Sequence, residues 1–205
     1  MWISTGDRTP PMLNPYDDAP KPNRRSIRLP EYDYRLPGAY FVTLCAQDRA
    51  CIFGEVVNSL VRLSLAGQVA QRAWTRLPEF FERVELDAFV VMPNHLHAVL
   101  WIVDPNDQPM FGSLEVNVET SDVEMLSEPD EDDWHGTDSG SLSAIIQNFK
   151  SVTSRKIRAL PKINIEHVWQ RNYWERIIRN ERELRAFRQY IRDNPAKWEF
   201  DQLNK

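Results

Sequence analysis

Residues 90–103 read Val-Val-Met-Pro-Asn-His-Leu-His-Ala-Val-Leu-Trp-Ile-Val, which predicts one or two β-strands. Its β-branched and other apolar residues are typical of strands, and its second half is nearly all apolar, which predicts a central strand. Residues 39–45 form a similar β-branched and aromatic run, and residues 51–57 predict a shorter strand. Since these segments do not alternate regularly with helices, we expect an antiparallel-dominated sheet.

Helical periodicity appears in three other segments. Leu65, Val69, Ala73 and Leu77 recur every fourth residue, which predicts a helix with Ser64 as its N-cap and Pro78 as its end. Residues 141–160 and 181–194 also place apolar side chains on one helical face. Helices packed on an antiparallel sheet make an α+β fold.

The net charge of −5 conceals a basic domain. Residues 104–140 hold twelve acidic residues and no Lys or Arg, which leaves 18 acidic against 25 basic residues elsewhere, a net charge of +7. We interpret this segment as an acidic, disordered insert in one domain over 24–200, after a flexible arm (1–23) and before a tail (201–205). The insert is either a solvated loop or a shield for the basic surface.

Length and composition also limit where the protein works. The longest apolar run, residues 98–103, is far too short to cross a membrane. Two cysteines cannot form a disulfide scaffold, so we expect a reducing, cytoplasmic setting.

His95 and His97 are two residues apart on a predicted strand, so both imidazoles project from one face of the sheet. Two neighbouring imidazoles can share one divalent metal ion. The alternative is a pair of hydrogen-bonded histidines that line the sheet.

Tyr190 and Asn194 are four residues apart, so they share one side of the last predicted helix. They lie at the border of its apolar face, where a phenol and an amide oxygen can reach the exposed face of the sheet. With two imidazoles, the amide oxygen can complete a metal site, and a tyrosine oxygen can attack a phosphodiester. The alternative makes Tyr190 a core-edge residue and Asn194 a helix terminator before Pro195.

Four segments, in this order, resemble one family. They are residues 24–29 (Arg-Arg-Ser-Ile-Arg-Leu) with 40–49, residues 92–97 (Met-Pro-Asn-His-Leu-His), residues 169–181 (Trp-Gln-Arg-Asn-Tyr-Trp-Glu-Arg-Ile-Ile-Arg-Asn-Glu) and residues 189–198 (Gln-Tyr-Ile-Arg-Asp-Asn-Pro-Ala-Lys-Trp). They resemble the REP-associated tyrosine transposases, a branch of the HUH single-tyrosine transposases. The likeness covers residues 24–103 and 141–198.

The resemblance implies a ferredoxin-like α+β sandwich and an enzyme of DNA transposition and recombination. The family's metal-binding histidines fall on His95 and His97, its third ligand on Asn194, and its nucleophile on Tyr190. The metal would be Mg²⁺ or Mn²⁺. The substrate would be single-stranded DNA, often a hairpin near repetitive extragenic palindromes, cleaved by an endonuclease step that leaves a 5′-phosphotyrosine. Such an enzyme would be cytoplasmic and associated with the nucleoid, as a monomer or a homodimer.

Candidate DNA contacts are basic or aromatic residues in these segments and in the helix over 141–160: Arg24, Arg25, Arg28, Lys150, Arg155, Lys156, Arg158, Tyr173 and Arg176. Tyr173 is the rival nucleophile, although no metal ligand follows it at the fourth position. Two other functions stay open. One is a non-catalytic hairpin-DNA-binding protein of transposase origin, and the other is a zinc hydrolase that uses His95, His97 and His167.

Overall fold

The computed structural model describes residues 32–104, 140–161 and 163–204. In chain order the strands are β1 Gly38–Cys45, β2 Gly54–Val57, β3 Leu60–Leu63, β4 Val84–Val91, β5 His95–Ile102 and β6 Trp174–Ile178, and the α-helices are α1 Leu65–Thr75, α2 Leu77–Phe80, α3 Leu142–Ala159 and α4 Glu181–Asp193. The main sheet is antiparallel with the order β4-β5-β1-β6, and β2 and β3 form a separate hairpin. The predicted α+β fold is confirmed.

Strand β5 is an interior strand of the sheet, as its apolar sequence predicts. β5 pairs with β4 on one side and β1 on the other, and five of its last six residues are buried. The stretch over 90–103 forms two strands joined by a turn at residues 92–94. The register pairs Cys45 with His95 and Thr43 with His97, so both histidines lie at one end of the sheet.

Side chains alternate between the two faces of the sheet, and each face has its own core. On one face, α1 and α3 cover a cluster that includes Tyr40, Val42 and Leu44 of β1. On the other face, the apolar stripe of α4 covers Phe41 and Val99 with Leu184, Phe187 and Ile191. The two histidines belong to this second face, because the ring of His97 stacks on Phe41 with centroids 5.5 Å apart.

The helix starts follow from capping side chains. Ser64 Oγ accepts from the amide of Gly67, Ser141 Oγ from that of Ala144, and Asn180 Oδ1 from that of Glu183. The expectation that Pro78 ends α1 is wrong. α1 ends at Thr75, and Pro78 lies in the first turn of α2, where its missing N–H costs no hydrogen bond.

An ion pair fixes α4 on the sheet. Arg188 donates from Nε and Nη2 to the two carboxylate oxygens of Asp87 in β4, at 2.8 and 2.6 Å. The Trp101 indole and the Ala88 amide also donate to this carboxylate. Burial alone would raise the pKa of Asp87, but these hydrogen bonds outweigh burial and lower it.

Some of the predictions fall on residues outside the described ranges. These are the arm over 1–23, the candidate DNA contacts Arg24, Arg25 and Arg28, and nearly all of the acidic insert over 104–140. Within the described ranges, no helix has the length and apolar character that crossing a membrane requires.

Candidate active site

The two histidines lie side by side and fully buried at the end of β5. Their ring centroids are 4.4 Å apart, and neither side chain is accessible to solvent. Because strand residues two apart point to the same face of the sheet, both imidazoles lie on one face, as the sequence predicts.

The Asn94 side chain orients His95. Asn94 Nδ2 donates to the carbonyl oxygens of Arg49 and Leu203, at 3.2 and 2.7 Å, so Asn94 Oδ1 faces His95. An amide oxygen only accepts, so His95 Nδ1 carries the proton that it donates across 2.7 Å. Nε2 of His95 is left with a lone pair. Buried as it is, this atom has no hydrogen-bond partner among the described residues.

His97 is held between two hydroxyl groups. Its Nδ1 lies 2.8 Å from Thr43 Oγ1, and its Nε2 lies 3.2 Å from the phenol oxygen of Tyr190. Because a phenol is the better donor, the network favours the Tyr190 hydroxyl donating to Nε2 and Nδ1–H donating to Thr43. Tyr190 thus reaches the histidines from α4, across the sheet–helix boundary.

Both imidazoles are neutral near pH 7. Burial lowers the pKa of His95 to about 4, with a raising effect of Asp201 and a further lowering effect of Arg49. Burial and the neighbouring His95 lower the pKa of His97 well below its ordinary value. Neutral imidazoles are the form that binds a metal ion.

Asn194 and Asp201 close the site. Asn194 is buried at the end of α4, and its Nδ2 donates to Asp201 Oδ2 across 3.1 Å. Its own Oδ1 is a buried acceptor without a hydrogen bond to any described residue. Asp201 Oδ2 is 3.8 Å from His95 Nε2, and ligand atoms of His95, His97 and Asp201 all lie within 4.8 Å of one another.

The sequence reasoning missed Asp201, which belongs to the segment expected to be a tail. A 3-10 turn at Pro195–Phe200 follows α4 and returns the chain to the histidines. Beyond Asp201, Leu203 is buried, and its carbonyl accepts from Asn94. The sequence signals Asp201 only as an acidic residue six positions beyond Pro195, and its approach to the histidines depends on the path of the turn.

The residues present fit a divalent cation. A buried imidazole lone pair, a second neutral imidazole, a buried amide oxygen and a carboxylate form the mixed nitrogen and oxygen donor set that Mg²⁺ and Mn²⁺ accept. The hydrogen bond from His95 to Asn94 is the kind of outer contact that orients metal-bound histidines.

The rival tyrosine lies elsewhere. The Tyr173 ring packs against the core on the α1 and α3 face, and Lys150 Nζ sits 5.3 Å from its centroid. Lys150 also donates to the carbonyls of Gln170 and Asn172, so its ammonium holds that loop. His167 is 69% exposed beside Glu166 and is not part of the His95 cluster, which removes the third ligand of the zinc-hydrolase alternative.

The remaining candidate DNA contacts are distributed around the domain. Arg155 and Arg158 are exposed on α3 and Lys156 is partly buried there, on the opposite face of the sheet from the histidines. Arg176 of β6 pairs with Glu183 across 3.5 Å. The geometry of the site brings none of these side chains into the histidine cluster.

Comparison with other sequences identifies a relative. The chain is 37% identical over 182 residues to an uncharacterized protein of Haemophilus influenzae, across 88% of this chain and 93% of the relative. The chain belongs to the same family as this protein. No family model matches the chain.

Comparison with solved structures identifies the fold. A REP-associated tyrosine transposase bound to a REP hairpin matches with a TM-score of 0.52 and 17% identity, over 85% of this chain and 76% of that one. This match confirms, at the level of the fold, the resemblance to the REP-associated tyrosine transposases. A candidate transposase from Deinococcus radiodurans also matches, with a TM-score of 0.37 and 16% identity over 81% of this chain and 95% of that chain.

Proposed function

We propose that the protein is a metal-dependent DNA strand transferase in which Tyr190 is the nucleophile. One observation carries this proposal: the Tyr190 phenol oxygen lies 3.2 Å from Nε2 of His97, inside the cluster that fits a divalent cation. Two buried neutral imidazoles and a buried amide oxygen, with a carboxylate and a partly buried tyrosine beside them, are a costly arrangement for a core to contain. Nucleophilic attack on a phosphodiester uses each of these groups.

The reaction exchanges one oxygen–phosphorus bond for another. The phenol oxygen of Tyr190 forms a bond to phosphorus, the bond from phosphorus to the 3′ oxygen breaks, and the phenol loses its proton as the 3′ oxygen gains one. The products are a 5′-phosphotyrosine at Tyr190 and a free 3′-OH. Attack of a 3′-OH on this ester reverses the step and joins two strands.

His95, His97, Asn194 and Asp201 would hold the cation. When bound, Mg²⁺ or Mn²⁺ would polarise the scissile phosphate and offset the negative charge of the transition state. Asn194 comes from the helix that carries Tyr190, so one rigid element sets the position of both the nucleophile and a ligand.

We propose single-stranded DNA with a hairpin as the substrate. One solved structure that shares this fold is a transposase bound to a REP hairpin. The sequence over residues 141–197 is basic, with thirteen Lys and Arg against five Asp and Glu. Arg24, Arg25, Arg28, Lys150, Arg155, Lys156, Arg158, Tyr173 and Arg176 stay candidates for DNA contact.

The test is a covalent adduct. Labelled single-stranded oligonucleotides that contain repeats flanking the gene would be mixed with the protein and Mn²⁺, then separated on a denaturing gel. We expect a protein–DNA band that Tyr190→Phe abolishes and Tyr173→Phe retains. Loss of the band with Tyr173→Phe alone would overturn the choice of nucleophile. Tight hairpin binding without any band would instead favour the non-catalytic DNA-binding protein.

A further inference from the structure

Arg49 lies at the edge of the candidate active site in an unusual backbone conformation. The 3-10 turn Gln47–Arg49 directly follows β1, and both Asp48 and Arg49 have left-handed backbone angles, with φ of 55° and 54°. Left-handed arginine is uncommon, and such strain persists where the surroundings enforce it. Here the Arg49 carbonyl accepts from Asn94 Nδ2, the same amide group that orients His95.

The Arg49 guanidinium is directed toward the segment that carries Asp201. Its Nη1 donates to the carbonyl of Gln202 across 3.3 Å. No carboxylate among the described residues lies within ion-pair distance of this guanidinium, and most of its five N–H donors have no acceptor in that part of the chain.

A cation beside a metal site is unfavourable unless an anion joins them. The Arg49 guanidinium reaches the segment that carries Asp201, the carboxylate of the histidine cluster. A divalent cation held there would add two positive charges beside the permanent charge of the guanidinium. The arrangement therefore attracts an anion, and a guanidinium fork matches two oxygens of a phosphate group.

We propose that Arg49 binds the non-bridging oxygens of the scissile phosphodiester. The inference rests on the proposed function and adds a residue that touches the substrate. The turn at Gln47–Arg49 and the chain at 201–204 would form the wall of the site against which the phosphate lies. The rival role for Arg49 is purely structural, in which its only task is to hold the Gln202 carbonyl.

The first experiment needs no metal and no turnover. Binding of a hairpin oligonucleotide with a single-stranded flank is measured by fluorescence anisotropy in EDTA, from about 50 to 200 mM salt. We expect Arg49→Gln to reduce the slope of log K against log salt by roughly 0.7, the value of one phosphate contact to a single strand. Arg49→Lys keeps the charge and should keep the slope.

The matched control is Arg35→Gln. Arg35 is a surface arginine that pairs with Asp33, and it precedes β1, whereas Arg49 follows it. The seven steps from Gly38 to Cys45 separate the two ends of that strand by about 24 Å. This variant should leave the slope unchanged.

The second experiment places a charge-neutral methylphosphonate at the linkage that wild-type protein cleaves. Against ordinary DNA we expect Arg49→Gln to bind roughly 10- to 100-fold more weakly, as loss of a charge-assisted hydrogen bond predicts. Against methylphosphonate DNA, wild type and Arg49→Gln should bind equally.

The outcomes separate the two proposals. If wild type forms no adduct, the proposed function fails, and the salt slope alone decides whether Arg49 binds phosphate. If wild type forms the adduct but Arg49→Gln keeps the wild-type slope, Arg49 does not contact phosphate. An equal loss of affinity on both DNAs, with a lower melting temperature, would assign Arg49 the structural role only.

Discussion

Asp87→Asn should destabilise the protein because it breaks the ion pair that fixes α4 on β4. Asp87 is 4% exposed and Arg188 27%, so the pair lies between a buried and a surface ion pair. Breaking a buried pair costs about 3–5 kcal/mol, and exposed pairs contribute about 0–1 kcal/mol. We therefore expect a loss of about 2–3 kcal/mol at pH 7, or roughly 5–10 °C in melting temperature.

The loss of stability in Asp87→Asn should become smaller as the pH falls. Although burial alone would raise it, the pKa of Asp87 is lowered by hydrogen bonds from Arg188, Trp101 and the Ala88 amide. Its stabilising effect is thus complete above the unfolded-state value of about 3.9, and it is lost as the pH falls through the lower folded-state pKa. The asparagine has no such titration, so the difference between the two proteins should close in acid.

Urea unfolding of both proteins from pH 7 to about pH 3 measures this difference. The control is Glu55→Gln, which removes an exposed pair with Arg62 and should have no measurable effect. Equal stability at pH 7, or a difference that does not narrow as the pH falls below about 3.9, would show that this ion pair does not stabilise the fold.

Two further predictions concern the metal site. Asp201→Asn should weaken Mn²⁺ binding, measured by calorimetry, about 10- to 100-fold. The control is Asp193→Asn, which removes a surface ion pair with Lys197 and should leave Mn²⁺ binding unchanged. Equal Mn²⁺ affinities of Asp201→Asn and wild type would exclude Asp201 as a ligand. Asn94→Ala should weaken Mn²⁺ binding to a similar degree, because His95 Nδ1 loses the acceptor that orients the ring. Unchanged Mn²⁺ affinity would show that this hydrogen bond does not orient His95 for metal binding.

The helices were predictable because their signals are local. The stripes of α1, α3 and α4 recur at helical spacing, and Ser64 caps α1 as the sequence predicts. The central strand was predictable because a fully buried strand is apolar throughout. These features depend only on neighbours in sequence.

Strands β3 and β6 were missed because their signals are weak. β3 has four residues and follows a turn at Asn58 and Ser59, both with left-handed backbone angles and neither a glycine. β6 has five residues, two of them charged, and it pairs only with the distant β1. Their identity as strands depends on partners that the local sequence does not reveal.

The candidate site was predictable in part. Spacing alone placed His95 with His97 and Tyr190 with Asn194, and the structure brings Tyr190 to His97. Asp201 could not be found in this way, since its approach to His95 depends on the direction of the chain after Pro195. The role of Asn94 also depends on tertiary structure, because its amide group donates to the carbonyls of Arg49 and Leu203, which are far apart in sequence.

Mass spectrometry can identify the residue that carries the DNA in the covalent adduct. The covalent adduct formed in Mn²⁺ would be trimmed with nuclease, digested with trypsin and sequenced by mass spectrometry. Cleavage after Arg188 and Arg192 isolates Tyr190, and cleavage after Arg171 and Arg176 isolates Tyr173. We predict a nucleotide phosphate on the Tyr190 peptide. A modified Tyr173 peptide, or no modified tyrosine in an active preparation, would contradict the account.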